Sequence, residues 1–210
     1  MGPAGAEVME TMNRIVLASG NAGKLRELQA MLADLPYAIV AQKELGVDEV
    51  PETGLTFVEN ALIKARHACR ATGLPALADD SGLIVDALGG APGLYSARYA
   101  GSPTDDAANN AKLLEALHGV PAERRTARFY AVIVLLRHPE DPQPLIAEGS
   151  WEGTILEAPR GSNGFGYNPV FLDPASGLTA AEMDAHAKNR LSHRGKALAA
   201  LKQRLAALTL

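Results

Sequence analysis

The sequence is poor in the features that mark secreted, membrane-spanning and nucleic-acid-binding proteins. Its 210 residues include one cysteine, Cys69, which cannot form an internal disulfide and is expected to be an apolar residue on a helix face. No apolar run approaches the ~20 residues that span a bilayer, and no secretory signal begins the chain. The formal net charge is -4, so no basic surplus exists to neutralise a polyphosphate backbone. We therefore expect a cytoplasmic protein that binds neither nucleic acid nor membrane.

Strand and helix patterns alternate along the chain without an internal repeat or a linker. Residues 1–13 have no apolar period and are interpreted as a disordered leader, so a single domain is expected over residues 14–210. Short apolar runs predict strands, including separate strands at 145–147 and 150–155 with a turn at Glu152-Gly153. Amphipathic periods predict helices, the first ended by Pro36 and the last over about 194–208. This mixed order predicts an α/β or mixed α+β fold.

A turn-rich loop separates the first predicted strand from the first predicted helix. Backbone N–H groups at a helix N-terminus favour an anion, and a lysine at the end of the loop adds a full positive charge. The loop lacks the spacing of a Walker A motif, so an ordinary strand-to-helix turn is the alternative. The candidate phosphate-binding residues are Ser19, Gly20, Asn21, Ala22, Gly23 and Lys24.

Two adjacent carboxylates, Asp79 and Asp80, follow a short apolar run, and a strand is expected to resume only at 83–85, after Ser81 and Gly82. Because strand side chains alternate, the two carboxylates should point in different directions, so one can bind a metal ion while the other is held by the structure. Carboxylates suit Mg²⁺, which usually takes one or two of them plus substrate phosphates. Glu52 and Glu59 are further candidate ligands, and Lys64 would neutralise phosphate charge.

A glycine-rich loop near the C-terminal end carries Phe165 and Tyr167, on which a flat base could stack. A structural turn whose aromatic rings enter the core is the alternative. Lys188, His193 and Arg194 supply hydrogen-bond donors just before or at the start of the last predicted helix, which Ser192 is expected to cap.

Six short segments in this order resemble the Ham1/RdgB family of inosine/xanthosine triphosphate pyrophosphatases, over residues 14–208. The resemblance implies an elongated mixed β-sheet with flanking helices, two lobes around a central cleft, a homodimer and a requirement for Mg²⁺. The segments are 19–24, Thr53-Gly54-Leu55-Thr56-Phe57 with Glu59-Asn60-Ala61, 78–83, Gly89-Gly90-Ala91-Pro92-Gly93 with Tyr95-Ser96-Ala97-Arg98-Tyr99, Phe165-Gly166-Tyr167, and Ser192-His193-Arg194-Gly195.

The resemblance also implies roles for individual residues. Asp80 is expected to be the general base and to touch the metal, Glu52 to help hold the metal, and Ser81 to bind substrate. The loop 19–24 is expected to bind the nucleotide and its phosphates. The segment starting at Phe165, with Gly166, Tyr167 and Asn168, is expected to pack on the base. Lys188, His193 and Arg194 match base-recognition positions of the family.

One position departs from the family pattern. The family usually has aspartate after Phe-Gly-Tyr, whereas this chain has Asn168, which loses the charge and gains two donors. The expected activity is hydrolysis of deaminated purine nucleoside triphosphates to monophosphate and pyrophosphate. Two alternatives stay open at this point: a Maf-like pyrophosphatase acting on pyrimidine or modified nucleotides, and a module that binds nucleotides without hydrolysing them.

Overall fold

A seven-stranded mixed sheet organises residues 14–205, the part of the chain that the computed structural model describes. Its strands are β1 (Arg14–Ala18), β2 (Ala38–Ala41), β3 (Ala76–Val85), β4 (Thr126–Leu136), β5 (Leu145–Ile155), β6 (Phe171–Asp173) and β7 (Leu178–Thr179). Their order across the sheet is β2-β1-β3-β4-β5-β6-β7. β1 runs parallel to β2 and β3, whereas β6 runs antiparallel to β5 and β7. The predicted mixed α/β class is therefore confirmed.

Five α-helices flank the strands in this part of the chain: α1 (Ala22–Leu32), α2 (Phe57–Thr72), α3 (Asp106–Ala116), α4 (Ala185–Leu191) and α5 (His193–Leu205). Short 3₁₀ turns lie at Gln42–Leu45, Asp86–Leu88, Gly93–Arg98 and Ala122–Arg124. None of the helices within residues 14–205 is long and apolar enough to cross a membrane. The predicted leader, residues 1–13, and the predicted end of the last helix lie outside the described residues.

Several predicted boundaries are wrong. β5 is one continuous strand through Glu152 and Gly153, where a turn was expected. Gly153 fits a strand there because the Phe171 ring packs against its Cα; a Cβ would meet Cε1 of that ring at 2.8 Å. α1 ends at Leu32, before the proline that was expected to stop it. Asp79-Asp80-Ser81-Gly82 interrupts nothing, because β3 runs through it.

The chain divides into two compact units. The described residues of the first are 14–80, 132–148 and 197–205, and those of the second are 81–131 and 149–196. In the first unit, the buried apolar side chains come mainly from β1, α1, α2 and the distal half of β4. Cys69 is among them, as expected; burial raises the pKa of its thiol to about 11. The prediction of a single domain over 14–210 stays a prediction.

The second unit has its own apolar core, in which aromatic rings meet. Phe129 packs against Trp151 and Phe171, with ring centroids 6.3 and 4.5 Å away. Tyr167 belongs to the same core and is 4% exposed. Offset and tilted ring pairs of this kind add to the stabilisation that comes from apolar burial. The remaining core residues are Leu83, Val85, Leu113, Leu117, Ala127, Ile155, Val170, Ala180 and Met183.

A buried arginine, Arg125, ties together the backbone of this second unit. Its guanidinium donates hydrogen bonds to the carbonyl oxygens of Ile155 (2.9 Å), Leu156 (2.9 Å) and Leu117 (3.3 Å). The last of these lies at the C-terminal end of α3, where a cation also interacts favourably with the helix dipole. Arg125 thus binds three backbone acceptors, one of which, the Leu117 carbonyl oxygen, also accepts from the Val120 N–H at 3.0 Å.

We expect Arg125→Met to lower the free energy of unfolding by about 2 kcal/mol, because buried acceptors lose their donors. Urea denaturation followed by circular dichroism measures the change. The matched control is Arg124→Met, since Arg124 is exposed; a surface substitution of this kind should change stability by less than about 0.5 kcal/mol. Equal effects of the two substitutions would show that the carbonyl contacts contribute nothing.

Candidate functional site

The parallel pairing of β1 with β3 ends where the candidate phosphate and metal residues begin. The register pairs Ala18, the last residue of β1, with Ala78 of β3. The loop 19–24 therefore leaves β1 at the level where Asp79 and Asp80 follow on β3. Carboxyl ends of parallel strands are the usual place for ligands in open α/β sheets.

The loop 19–24 is ordered by its own side chains. Asn21 caps α1, and its Oδ1 accepts a hydrogen bond from the Lys24 N–H at 3.0 Å. Ser19 is buried, and its Oγ accepts from the Asn21 N–H at 3.3 Å. Lys24 Nζ lies 2.9 Å from Asp79 Oδ2, and that carboxylate is fully buried. The loop therefore presents a helix N-terminus and a lysine at a fixed place.

A second lysine, Lys64, forms ion pairs with Glu52 and Asp80. Lys64 Nζ donates to Glu52 Oε1 at 2.8 Å, to Asp80 Oδ1 at 3.1 Å and to the Asp79 carbonyl oxygen at 2.8 Å. Asp79 and Asp80 thus turn to different lysines, as the alternation along a strand predicts. We call Lys24, Glu52, Lys64, Asp79 and Asp80 the acid–lysine cluster.

The position of Glu52 in this cluster depends on the start of α2. Thr56 caps the helix, and Glu59 Oε2 accepts hydrogen bonds from the Leu55 N–H (2.9 Å) and the Thr56 hydroxyl (2.8 Å). Asn60 is buried, and its Oδ1 accepts from the Gly54 N–H at 2.8 Å. Glu59, a candidate metal ligand on sequence, is therefore engaged in capping. The side chains of Glu59 and Asn60 together fix the segment 54–56, which follows Glu52.

Burial and charge act against each other in the acid–lysine cluster. Burial raises the pKa of Asp80 above its ordinary value, and the positive charges of Lys64 and Lys24 offset only part of that rise. Burial alone would lower the pKa of Lys64, but the charges of Asp80 and Glu52 outweigh it, so that pKa is raised. The lysine is therefore firmly cationic, and Asp80 is a more basic carboxylate than one in water.

The oxygen donors of this cluster fit a hard divalent cation. Glu52 and Asp80 converge on one ammonium group within 2.8 and 3.1 Å, so a cation is already favoured at that place. Within residues 14–205 no group of three or more His, Cys, Asp or Glu side chains could hold a metal alone. Two carboxylates without a closed protein cage are what Mg²⁺ usually takes, since substrate phosphates and water complete its shell.

The second unit carries the other set of predicted residues, around a half-buried ring. Lys188 Nζ lies 5.6 Å and Arg194 Cζ 6.0 Å from the centroid of the Phe165 ring. Arg194 is 4% exposed, and its Nη2 donates to Ser81 Oγ at 3.0 Å. We call Ser81, Phe165, Lys188 and Arg194 the ring–cation group. It combines an aromatic face with hydrogen-bond donors, and a flat ring could stack on that face.

Arg194 sits at an electrostatically unfavourable place. It is the second residue of α5, whose first turn contains no acidic side chain. The positive end of a helix dipole repels a cation there. Ser192 satisfies the helix terminus instead, because its Oγ accepts from the Gly195 N–H at 3.1 Å, as expected for a cap. Helix stability therefore does not explain an arginine at this position.

Three further predicted residues lie deeper in the second unit. His193 stacks face to face on the core residue Phe129, with centroids 5.0 Å apart and an interplanar angle of 13°. Tyr167 donates its hydroxyl to the Ser96 carbonyl oxygen at 2.7 Å, and burial raises its pKa. Asn168 is 7% exposed; its Nδ2 lies against Gly164 and has no hydrogen-bond partner within residues 14–205.

Comparison with known proteins shows the family of this chain. The family model described as the Ham1 family matches residues 15–204. The chain belongs to the Ham1 family. A relative from Xanthomonas campestris pv. campestris (strain 8004), named dITP/XTP pyrophosphatase, is 81% identical over 199 residues, which cover 95% of this chain and 100% of the relative. One of the same name from Shigella flexneri is 59% identical over 89% of this chain and 95% of its own length.

Solved structures of Ham1 proteins agree with this membership. The Ham1 protein from Coxiella burnetii has a TM-score of 0.87 and 52% identity, covering 94% of this chain and 100% of the other. The Ham1 protein from Staphylococcus aureus has a TM-score of 0.82 and 39% identity, covering 92% of this chain and 98% of the other.

Within this Ham1 chain, sequence reasoning missed the residues that hold the predicted ones in place. Asp79, the ion-pair partner of Lys24, appeared only as a structurally held acid. Ser96 anchors Tyr167 and also accepts a hydrogen bond from the Leu83 N–H of β3 at 2.9 Å. The sequence did offer one signal for Ser96: it lies in the family segment 95–99, and no role was predicted for it.

Proposed function

We propose that this chain hydrolyses deaminated purine nucleoside triphosphates, such as those of inosine and xanthosine, to the monophosphate and pyrophosphate. The names of relatives 59–81% identical to it support this activity. The observation that carries the proposal is the acid–lysine cluster, in which two lysines and three carboxylates gather where the parallel pairing of β1 and β3 ends. A module that only binds nucleotides would not need a desolvated carboxylate such as Asp80 beside the two lysines.

The phosphates are assigned to the loop 19–24, Lys24 and Lys64. N–H groups at the α1 terminus and two ammonium groups offset part of the negative charge of a triphosphate. Both lysines are held by carboxylates, which fix the positions of the two ammonium groups. Such positioning reduces the entropy that the reaction would otherwise lose in bringing charged groups together.

Asp80 is assigned as the general base. It accepts a proton from the water that attacks the α-phosphorus, the bond from that phosphorus to the bridging oxygen breaks, and pyrophosphate leaves. Burial raises the pKa of Asp80, which strengthens it as a proton acceptor. Glu52 and Asp80 would hold Mg²⁺, which when bound supplies charge neutralisation at the phosphate oxygens. The cationic lysines stabilise the developing negative charge.

The base is assigned to the ring–cation group. The purine stacks on Phe165, and Arg194 donates a hydrogen bond to its 6-keto oxygen. Adenine presents a 6-amino donor instead, so two donors would face each other, and a site of this kind rejects a mismatch by roughly 10⁴-fold. Ser81 orients Arg194, and Lys188 adds a second cation beside the ring. Gly166, Tyr167, Asn168 and His193 are assigned to shaping this site.

A substrate panel tests the proposal. Purified protein with Mg²⁺ should release monophosphate and pyrophosphate from inosine and xanthosine triphosphates, and roughly 10⁴-fold less efficiently from adenosine triphosphate. Monophosphate formation is measured by chromatography for purine and pyrimidine triphosphates. A preference for pyrimidine or modified nucleotides would favour a Maf-like activity. Binding without turnover on every substrate would favour the non-hydrolysing module.

The remaining expectations are part of the same proposal. A homodimer is expected from the family resemblance, and light scattering during size-exclusion chromatography measures it. The single cysteine suits a reducing compartment such as the cytoplasm. Magnesium rather than another divalent ion is expected from the carboxylate donors, and omission or replacement of the ion in the substrate panel examines that choice.

A further inference from the structure

We propose that Asp106 and Asn110 are positioning residues for base binding, because together they hold both polar groups of Gly166, the residue next to Phe165. Asp106 Oδ2 accepts a hydrogen bond from the Gly166 N–H at 2.7 Å. Asn110 Nδ2 donates to the Gly166 carbonyl oxygen at 2.9 Å. The inference rests on the proposed role of Phe165 in stacking on the purine and adds two residues to that site.

We call the glycine-rich loop 161–169 the base loop, and these two side chains hold it where it changes direction. Gly166 has a φ of +64°, a left-handed conformation that side chains rarely adopt. On one side of it Tyr167 is fixed in the core, and its hydroxyl is bonded to the Ser96 carbonyl oxygen. On the other side Phe165 is half-buried. Rotation about the Gly166 backbone would therefore move the Phe165 ring while Tyr167 stays in place.

Neither residue is needed in this form for the helix that carries it. Asp105 already caps α3, because its Oδ1 accepts from the Ala108 N–H at 3.0 Å. Asn110 lies inside the helix, where asparagine is a weaker helix former than alanine. It is 9% exposed, and its Oδ1 has no hydrogen-bond partner in the described part of the chain. A buried acceptor of that kind costs stability, so the contact with Gly166 explains the residue better than helix formation does.

The contacts of Asn110 also make the two residues one unit. Besides the Gly166 carbonyl oxygen, Asn110 Nδ2 reaches the Asp106 carbonyl oxygen at 2.9 Å. The carboxylate of Asp106 lies in the first turn of α3, where the helix dipole favours a negative charge. The dipole and the Gly166 N–H therefore both interact favourably with this side chain. Losing either residue should let the loop sample other conformations.

The expected result is a loss of base affinity with the phosphate chemistry intact. If the productive loop conformation falls to a tenth of its population, apparent affinity falls about tenfold. We expect Asp106→Ala and Asn110→Ala in the full-length protein to raise KM for inosine triphosphate about tenfold and to change kcat by less than about twofold. Inhibition by inorganic triphosphate, which carries no base, should not change.

The conservative variant and a matched control separate positioning from a general structural effect. Asp106→Asn keeps an oxygen that can accept from the Gly166 N–H, so KM should return close to the wild-type value. Asp105→Ala removes the cap of the same helix without touching Gly166, so it should lower thermal stability and leave KM unchanged. Asp106 is exposed, and its substitution is therefore compatible with folding.

Opposite results would overturn the inference. An unchanged KM in both alanine variants would do so, as would an equal rise in KM in Asp105→Ala or a failure of Asp106→Asn to restore affinity. A parallel weakening of inorganic triphosphate binding would show that the residues support the whole protein rather than the base loop. If the wild-type protein released no pyrophosphate from inosine triphosphate, the proposed function would fail instead, which is a distinguishable outcome.

Discussion

Asp80→Asn should lower turnover of inosine triphosphate by at least about 100-fold while the fold persists. Asparagine is nearly the same size as aspartate but cannot take a proton from water. It also replaces a carboxylate oxygen by an amide nitrogen that cannot bind a metal. The decisive measurement is kcat at saturating substrate and Mg²⁺, because that value does not depend on how tightly substrate binds.

Stability should not fall in this variant, for an electrostatic reason. A raised pKa means that the charged form of Asp80 is less favourable in the folded protein than in water. A neutral amide removes that cost. Lys64 keeps two of its acceptors, the Glu52 carboxylate and the Asp79 carbonyl oxygen. The free energy of unfolding, measured in urea, should therefore stay the same or rise.

The neighbouring acid gives a contrasting variant. Asp79 is fully buried, and its carboxylate is bound by Lys24 at 2.9 Å. Asp79→Asn should lower stability, because the half-buried Lys24 loses its counter-charge. Near-normal turnover in Asp80→Asn would eliminate the assignment of Asp80 as the base. A large loss of stability in Asp80→Asn would instead assign Asp80 a structural role.

The alternation of side chains along a strand was enough to predict that Asp79 and Asp80 serve different partners. The identity of those partners was not predictable. Lys64 is 16 residues from Asp80 along the chain and reaches it from α2, so the pairing depends on how that helix packs on β3. A continuous β3 was also missed, because two acids, a serine and a glycine in a row suggest a turn until lysines are placed beside the acids.

The base loop and the start of α5 likewise combine features that the sequence predicted with features that it did not. The sequence indicated Phe165, Arg194 and the Ser192 cap from local patterns alone. It did not distinguish Phe165 from Tyr167, although one ring is half-buried and the other lies in the core. That difference is decided by Ser96, 71 residues away, whose carbonyl oxygen binds the tyrosine hydroxyl. Contacts over such a separation are set by tertiary packing, which local patterns do not encode.

Arg194→Ala should lower the preference for inosine over adenosine triphosphate by about 100-fold, since a hydrogen bond from a charged donor contributes about 1.5–3 kcal/mol. The ratio of the two kcat/KM values is the measurement. Loss of the guanidinium removes the donor to the 6-keto oxygen and, with it, the conflict with the 6-amino group of adenine. Hydrolysis of inosine triphosphate should fall, whereas hydrolysis of adenosine triphosphate should fall less or rise.

A ratio isolates the base contact because both substrates carry the same triphosphate and ribose. Any change in phosphate binding, metal affinity or the fraction of folded protein alters both kcat/KM values alike and cancels.

Arg194→Lys keeps the charge but loses the planar fork that reaches Ser81 while donating elsewhere, so its ratio should fall between wild type and alanine. Folding should survive both changes, since a cation at the start of α5 opposes the helix dipole. An unchanged ratio in Arg194→Ala would move base recognition to other donors, of which Lys188 beside the Phe165 ring is the nearest in kind.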